Sequence, residues 1–199
     1  TRTISFTVND GTDSSISATK NVTVTPVDQS PLLNTSGGSS TFTEGQGPVR
    51  VDPGVGVSDL DNATLASAAV QITGNFRSGE DLLLFTNTSS TTYGNIVGSY
   101  NPGTGTLTLV SAGGTATVAQ WQAALRDVSY GNTSFSPDTG ARTVSFTVSD
   151  GIKTSAAGER TVSVSAVNDV PVVAHAIADQ TVAEDAALSF QIPADAFYD

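Results

Sequence analysis

Residues 1–31 align with residues 141–171 without a gap, at a constant spacing of 140 positions. Arg2 answers to Arg142, Phe6 to Phe146, Val8 to Val148, and Asp10-Gly11 to Asp150-Gly151. Val22, Val24 and Pro31 answer to Val162, Val164 and Pro171. The spacing holds farther on, where Thr41 meets Thr181, Glu44 meets Glu184, Pro53 meets Pro193 and Asp59 meets Asp199. A repeat this long restricts the chain to a tandem architecture. The expected division has 1–31 as the C-terminal strands of one repeat and 32–168 as a complete repeat. Residues 169–199 then form a linker and the N-terminal part of the next repeat. The joins fall at Val27-Asp28-Gln29-Ser30-Pro31 and Val167-Asn168-Asp169-Val170-Pro171.

The local patterns are those of strands. Ile4, Phe6 and Val8 point one way in Thr3–Asn9, and Val22 and Val24 do so in Asn21–Thr25. A period of two marks half-buried strands. Two strands alone are marginal, so this pair belongs with the preceding repeat. In the central repeat, Leu32–Ser40 reads as a polar lead-in, and Thr41–Val51 as a strand broken at Glu44-Gly45. Ala69–Thr73 alternates, with Val70 and Ile72 inward. Leu82–Phe85 is a continuous apolar run, expected to be covered on both faces. Ser99–Asn101 and Thr106–Val110 flank Asn101-Pro102-Gly103-Thr104-Gly105, a hairpin turn. Thr117-Val118-Ala119-Gln120 is a capping box that opens the one expected helix. Val118, Trp121, Leu125 and Val128 form its apolar stripe, with Trp121 as a core anchor. Arg142–Ser149 and Arg160–Val167 close the repeat as strands around the loop Asp150–Glu159. About seven short strands with one helical insertion predict an all-β, immunoglobulin/cadherin-like β-sandwich repeat with one short helix. A sandwich gathers its loops at two poles, so the joins and the strand-end acids are expected together at one pole.

Charge narrows the partners. Eight Lys and Arg against 19 Asp and Glu give a net charge of −11. That excludes nucleic acid, whose phosphates need cationic side chains, and anionic membrane surfaces. It favours cations, or a soluble, self-repelling surface. There is no Cys, so no disulfide framework or thiolate chemistry. One His, His175, supplies neither a zinc site nor a Ser-His triad, and it is expected at the surface. Nothing singles out a carboxylate pair for glycoside hydrolysis among the 19 acids, so no enzyme is expected. No apolar run is long enough to span a bilayer, so no membrane insertion is expected. Nothing at Thr1 reads as a signal peptide, and the segment is expected to be internal to a longer polypeptide.

The acids at the joins remain. In Ser58-Asp59-Leu60-Asp61 two carboxylates lie two apart and can face one cation from a bent loop. Calcium takes six to eight oxygens at about 2.3–2.6 Å from carboxylates, amides and carbonyls. Asp59 lies 31 residues after Asp28, and Asp199 lies 31 after Asn168, which ties these aspartates to the joins. The competing reading is an Asx turn in a solvated loop. Asp10 and Asp150, each before Gly, read as plain β-turns; Glu80-Asp81 reads as strand-edge solubility.

These residues carry a family resemblance. Asn168-Asp169-Val170-Pro171 resembles the calcium-binding linker of cadherins, with an early Glu and an Asp-x-Asp farther on completing the similarity. The run from Thr43-Glu44-Gly45 through Ser58-Asp59-Leu60-Asp61, Gln122-Ala123-Ala124-Leu125-Arg126 and Arg142–Val148 resembles the cadherin-like tandem repeats of giant bacterial RTX-type surface adhesins. The resemblance implies Ca2+ at both joins. One cluster would use Asp28, Asp59 and Asp61, helped by an early acid of the preceding repeat; the other would use Glu44, Asn168, Asp169 and Asp199. There are departures: Asp28-Gln29 stands in place of the Asn-Asp pair, and no Gly-Gly-x-Gly-x-Asp nonapeptide is present. The implied function is a calcium-binding extender repeat of a large secreted or cell-surface adhesin. Its partners are neighbouring repeats of the same chain, with cell-surface or matrix ligands reached through other domains. Two alternatives stand beside it. One is a carbohydrate-binding module, with Tyr93, Tyr100 or Tyr130 stacking on a sugar near a calcium; burial of these Tyr would count against it. The other is a metal-free structural spacer. Residues 1–25 and 175–195 are also expected to pair between molecules, as last and first strands of one unit.

Overall fold

The computed structural model describes residues 1–198. Its strands are β1 (Arg2–Phe6), β2 (Ala18–Val22), β3 (Leu32–Asn34), β4 (Ser39–Thr43), β5 (Val49–Arg50), β6 (Gly56–Ser58), β7 (Ser67–Gly74) and β8 (Asp81–Leu84). They continue as β9 (Ile96–Asn101), β10 (Thr106–Ser111), β11 (Ser129–Asn132), β12 (Arg142–Ser149), β13 (Gly158–Ser165), β14 (Val172–Val173) and β15 (Phe197–Tyr198). Two helices, α1 (Ser90–Tyr93) and α2 (Val118–Asp127), and a 3-10 turn at Ala112–Gly114 complete the elements.

Alternation decides the strands. In β12, Arg142, Val144, Phe146 and Val148 are buried while Thr143, Ser145, Thr147 and Ser149 lie nearer solvent. The same alternation in β7, β10 and β13 builds a six-stranded sheet in the order β4-β13-β12-β7-β10-β9. A three-stranded sheet, β5-β11-β8, faces it, and β3-β6 forms a further pair. The inward residues of the layers meet in one apolar cluster, and Phe42 of β4 meets Tyr130 of β11 edge-on at 5.4 Å. Helix α2 fills the cluster with Trp121, Ala124 and Leu125. The capping box forms as expected: Gln120 N–H donates to Thr117 Oγ1 (3.3 Å) and Thr117 N–H to Gln120 Oε1 (2.9 Å). The indole of Trp121 donates to the Leu65 carbonyl at 2.9 Å, which satisfies its polar edge inside the core. The protein is an all-β, immunoglobulin-like sandwich with one short helix of three turns.

Several local expectations are corrected. The polar lead-in holds β3 and the start of β4, because Leu33 finds the core between exposed Leu32 and Asn34. The Leu82–Phe85 run is covered mainly on one face: Leu83 is buried, Leu84 exposed. The one-turn helix α1 was not signalled, since it is held by a Ser89 cap without an apolar stripe.

The register of the termini follows the spacing seen in the sequence. β1 pairs β2 with Arg2↔Val22 through Phe6↔Ala18; β12 pairs β13 with Arg142↔Val162 through Phe146↔Gly158, each position shifted by 140. β3–β6 and β14–β15 are related likewise, Leu33↔Val57 against Val173↔Phe197. One difference separates the hairpins. Val144, Phe146, Val148 and Val162 are in the core, whereas Ile4, Phe6, Val8 and Val22 are exposed.

Strand direction defines two poles. β12 ends at an upper pole, in the loop Asp150–Ala157; β13 returns from it and ends at a lower pole. β4 runs parallel to β13, so Glu44 also lies at the lower pole, where its N–H donates to the Ser165 carbonyl at 3.0 Å.

Candidate cation sites at the two poles

At the upper pole the chain brings together the first join and the Asp59 loop. Asp28 Oδ1 accepts from Asn62 Nδ2 at 3.3 Å, and the Gln29 N–H donates to Asp61 Oδ2 at 2.9 Å. Asp59 turns its loop by accepting from the N–H groups of Asp61 (3.0 Å) and Asn62 (2.8 Å) through Oδ1. Burial opposes ionisation of Asp59, but these backbone hydrogen bonds outweigh it and hold the carboxyl below its ordinary range. The expected Asx turn at Asp59 is therefore present, and it leaves the second oxygen free. Asp28 Oδ2 and Asp59 Oδ2 are both shielded from solvent and accept no hydrogen bond.

Sequence reasoning missed Asn62 and two further residues here. Asp150 forms the expected turn, its Oδ1 accepting from Ile152 N–H (2.6 Å) and Lys153 N–H (2.7 Å). Its Oδ2 is nonetheless a third shielded, unpartnered carboxylate oxygen. Lys153 Nζ donates to the Asp28 carbonyl, so the Asp150 loop leans on the join. Antiparallel pairing carried the signal. Ser149 lies opposite Ser67, so the residue after β12 must neighbour the loop that leads from Asp59 into β7.

At the lower pole Glu44 is 8% exposed. Its Oε2 accepts from the Val167 N–H at 2.9 Å, while Oε1 is shielded and unpartnered. A cleft of about 330 Å³ opens beside it, lined by Glu44, Gly45, Asn132–Phe135, Val167 and Asp169. The Asn132–Phe135 wall was not anticipated. Asn168 turns its amide to the Asp169 carbonyl at 2.9 Å. Asp199 lies outside the described residues. Among the described residues no three acidic or histidine side chains converge as a ready metal-holding group.

Other candidates resolve into structure. Asp81, read as a strand-edge residue, is fully buried and paired with Arg142, which is also fully buried. An apolar surrounding needs that pairing, and the sequence gives no sign of it. Tyr130 is in the core with its hydroxyl on Asp81 Oδ1 (2.5 Å); burial, then that hydrogen bond, raise its pKa. Tyr100 and Tyr93 are half-buried, donating to the Asp81 carbonyl (2.7 Å) and to Asp127 Oδ2 (3.1 Å). None of the three is an exposed stacking platform. His175 is exposed, with Nδ1 2.9 Å from the Asp195 carbonyl. No helix among the described residues is long and apolar enough to cross a membrane.

The fold is an all-β sandwich that carries shielded, unpartnered carboxylate oxygens at both poles. No family model matches the sequence. The chain is similar to Halomucin of Haloquadratum walsbyi (strain DSM 16790 / HBSQ001), with 38% identity over 122 residues, which is 60% of this chain and 1% of that protein. Among solved structures it is similar to the seventh ScaB type I cohesin from Pseudobacteroides cellulosolvens. That similarity covers 70% of this chain and 96% of the cohesin, at 11% identity and a TM-score of 0.38.

Proposed function

We propose that the chain is a slice of a tandem array of cadherin-like, calcium-binding extender repeats in a large extracellular, adhesin-type protein, and that it is not an enzyme. One observation carries the reading. Asp28, Asp59 and Asp150, from three separate segments at one pole, each hold a shielded carboxylate oxygen without a partner. A buried unpaired carboxylate oxygen is costly unless a cation or donor reaches it. The donors at this pole are oxygens, which suits a hard cation such as Ca2+. Asp28, Asp59, Asp61 and Asp150 would hold it, with the Asn62 amide oxygen and backbone carbonyls.

Glu44 supports the same reading at the lower pole. Glu44 holds the Val167 N–H, and at the 140-residue spacing a Glu44 counterpart in a preceding repeat would stand beside Val27. Its free oxygen would then supply the early acid that the upper cluster needs. Glu44, Asn168, Asp169 and Asp199 are the corresponding set at the second join. Similarity to 1% of a very long protein fits one repeat among many, and an extracellular place for it. Bound cation would neutralise the clustered carboxylates and limit bending at the joint.

A metal-free spacer is the second reading, favoured because Asp59 already satisfies one oxygen twice and Lys153 already sits on the join. Thermal unfolding in chelator, in calcium and in magnesium decides between them. Calcium at about 100 times its dissociation constant should stabilise by about 2.7 kcal/mol. Asp59→Ala should abolish most of that shift. An equal response to magnesium, or none to calcium, leaves the spacer.

A further inference from the structure

Two anchors fix the joins, one on each side of a single peptide bond. At the lower pole the Val167 N–H is held by Glu44. At the upper pole Asp28 is held by Asn62 through its carboxylate and by Lys153 through its carbonyl. Gln29 is held by Asp61, and Pro31 is buried. At the spacing of 140, Val27 answers to Val167 and Asn168 to Asp28. The last residue held by one unit therefore immediately precedes the first residue held by the next. Consecutive Cα atoms lie about 3.8 Å apart, so no free linker separates the two units. The lower pole of each unit must touch the upper pole of its successor.

What the poles expose matches that contact. Leu60 is 91% exposed and Ile152 is 80% exposed, on the two loops that flank Asp28. Phe135 is 85% exposed, in the wall of the Glu44 cleft at the opposite pole. None of the three belongs to the apolar cluster of the unit. We infer that Phe135 of one unit packs between Leu60 and Ile152 of the next unit of the same design, making an apolar pole-to-pole joint. This rests on the tandem-array reading but not on calcium. The contact is heterologous, a tail on a head, so it propagates rather than closing on itself.

Leu60, Ile152 and Phe135 are exposed with residues 1–31 and 169–198 in place, so the contact can be read between copies. Within an array the tether supplies an effective concentration of about 1 mM, so the test is run near that value. Chelator removes the contribution of cations, and about 1 M NaCl screens the repulsion between acidic chains. Sedimentation equilibrium should show open-ended association. Phe135→Ser should leave monomers, as should the pair Leu60→Ser with Ile152→Ser. An equimolar mixture of the two variants should form dimers and stop there, because each keeps one competent pole. All three side chains are exposed, so the unfolding midpoints should match that of the parent. Each of these results overturns the inference: a parent chain that stays monomeric, association that Phe135→Ser does not touch, or association lost instead through Phe6→Ser on the open hairpin. Association that needs calcium also overturns it, while leaving the calcium reading intact.

Discussion

Asp81 and Arg142 form an ion pair with no access to water, and the surrounding chain replaces the lost hydration. Arg142 Nε reaches Asp81 Oδ2 at 3.0 Å and Nη2 reaches Oδ1 at 3.2 Å. Tyr130 Oη, Asn132 Nδ2 and the Arg77 N–H complete the carboxylate at 2.5, 2.8 and 2.8 Å. Arg142 Nη1 donates to the carbonyls of Asp138 and Gly140. Removing one partner strands the other charge. Asp81→Asn should cost about 3–5 kcal/mol in urea unfolding, whereas joint replacement by Asp81→Leu and Arg142→Met should cost much less. Equal costs for the single and joint changes would show that the pair does not act as a unit. At the surface, Asp138 is held well below the ordinary carboxylate range, first by Asn75, then by the Gly140 N–H and Arg77. Asp59 is depressed too. A depressed native pKa means the unfolded chain binds the proton more readily. The stability these groups give is therefore present above about pH 4 and drains away as pH falls through their native values. The fall of the unfolding midpoint in acid should flatten in Asp138→Asn and Asp59→Asn, which should lie below the parent near neutrality and converge with it as pH drops.

The two hairpins β1–β2 and β12–β13 share register and turn, down to the same aspartate accepting the same two N–H groups. Their sequences differ at several positions, but the larger difference is in their surroundings, so they set local against tertiary stabilisation. β12–β13 lies between β7 and β4, while the apolar face of β1–β2 is open. A two-stranded hairpin is marginal by itself. Amides of Arg2–Val22 should exchange with solvent orders of magnitude faster than those of Arg142–Val162, as hydrogen exchange would measure. Similar protection would mean that something already covers the hairpin. The same comparison explains what could be read from residues alone. β7, β10, β12 and α2 were legible because period and capping are local. β3 was not, because a single buried Leu33 makes no pattern. Nor were Asp150 and Lys153 legible as pole residues, since only the β7–β12 pairing brings them to Asp28. Arg142 sits on the inward parity of its strand, where pattern alone would put an apolar residue. Only its distant partner, 61 positions away, accounts for it.

The molecule carries its charge unevenly. The outward positions of β12 and β13 are Ser, Thr and one Glu, while acids collect at the poles and in loops. In the proposed array, consecutive units would bring acid to acid at each joint, where a cation, Lys153 or apolar tips would hold them together. The calcium titration and the pole-to-pole association test address those contributions separately. Another property follows from the pairing of β4 with β13. These strands lie near the start and the end of the sandwich, yet they are parallel neighbours over five residue pairs, Thr161↔Ser39 to Ser165↔Thr43. The chain enters at the upper pole and leaves at the lower one. Tension along the array would thus pull β4 upward and β13 downward, sliding them in shear. Their hydrogen bonds would have to break together rather than unzip one at a time. Resistance of that kind is set by the unfolding barrier, not by equilibrium stability. In the proposed array, a unit wired this way would make a strong link in a chain under load.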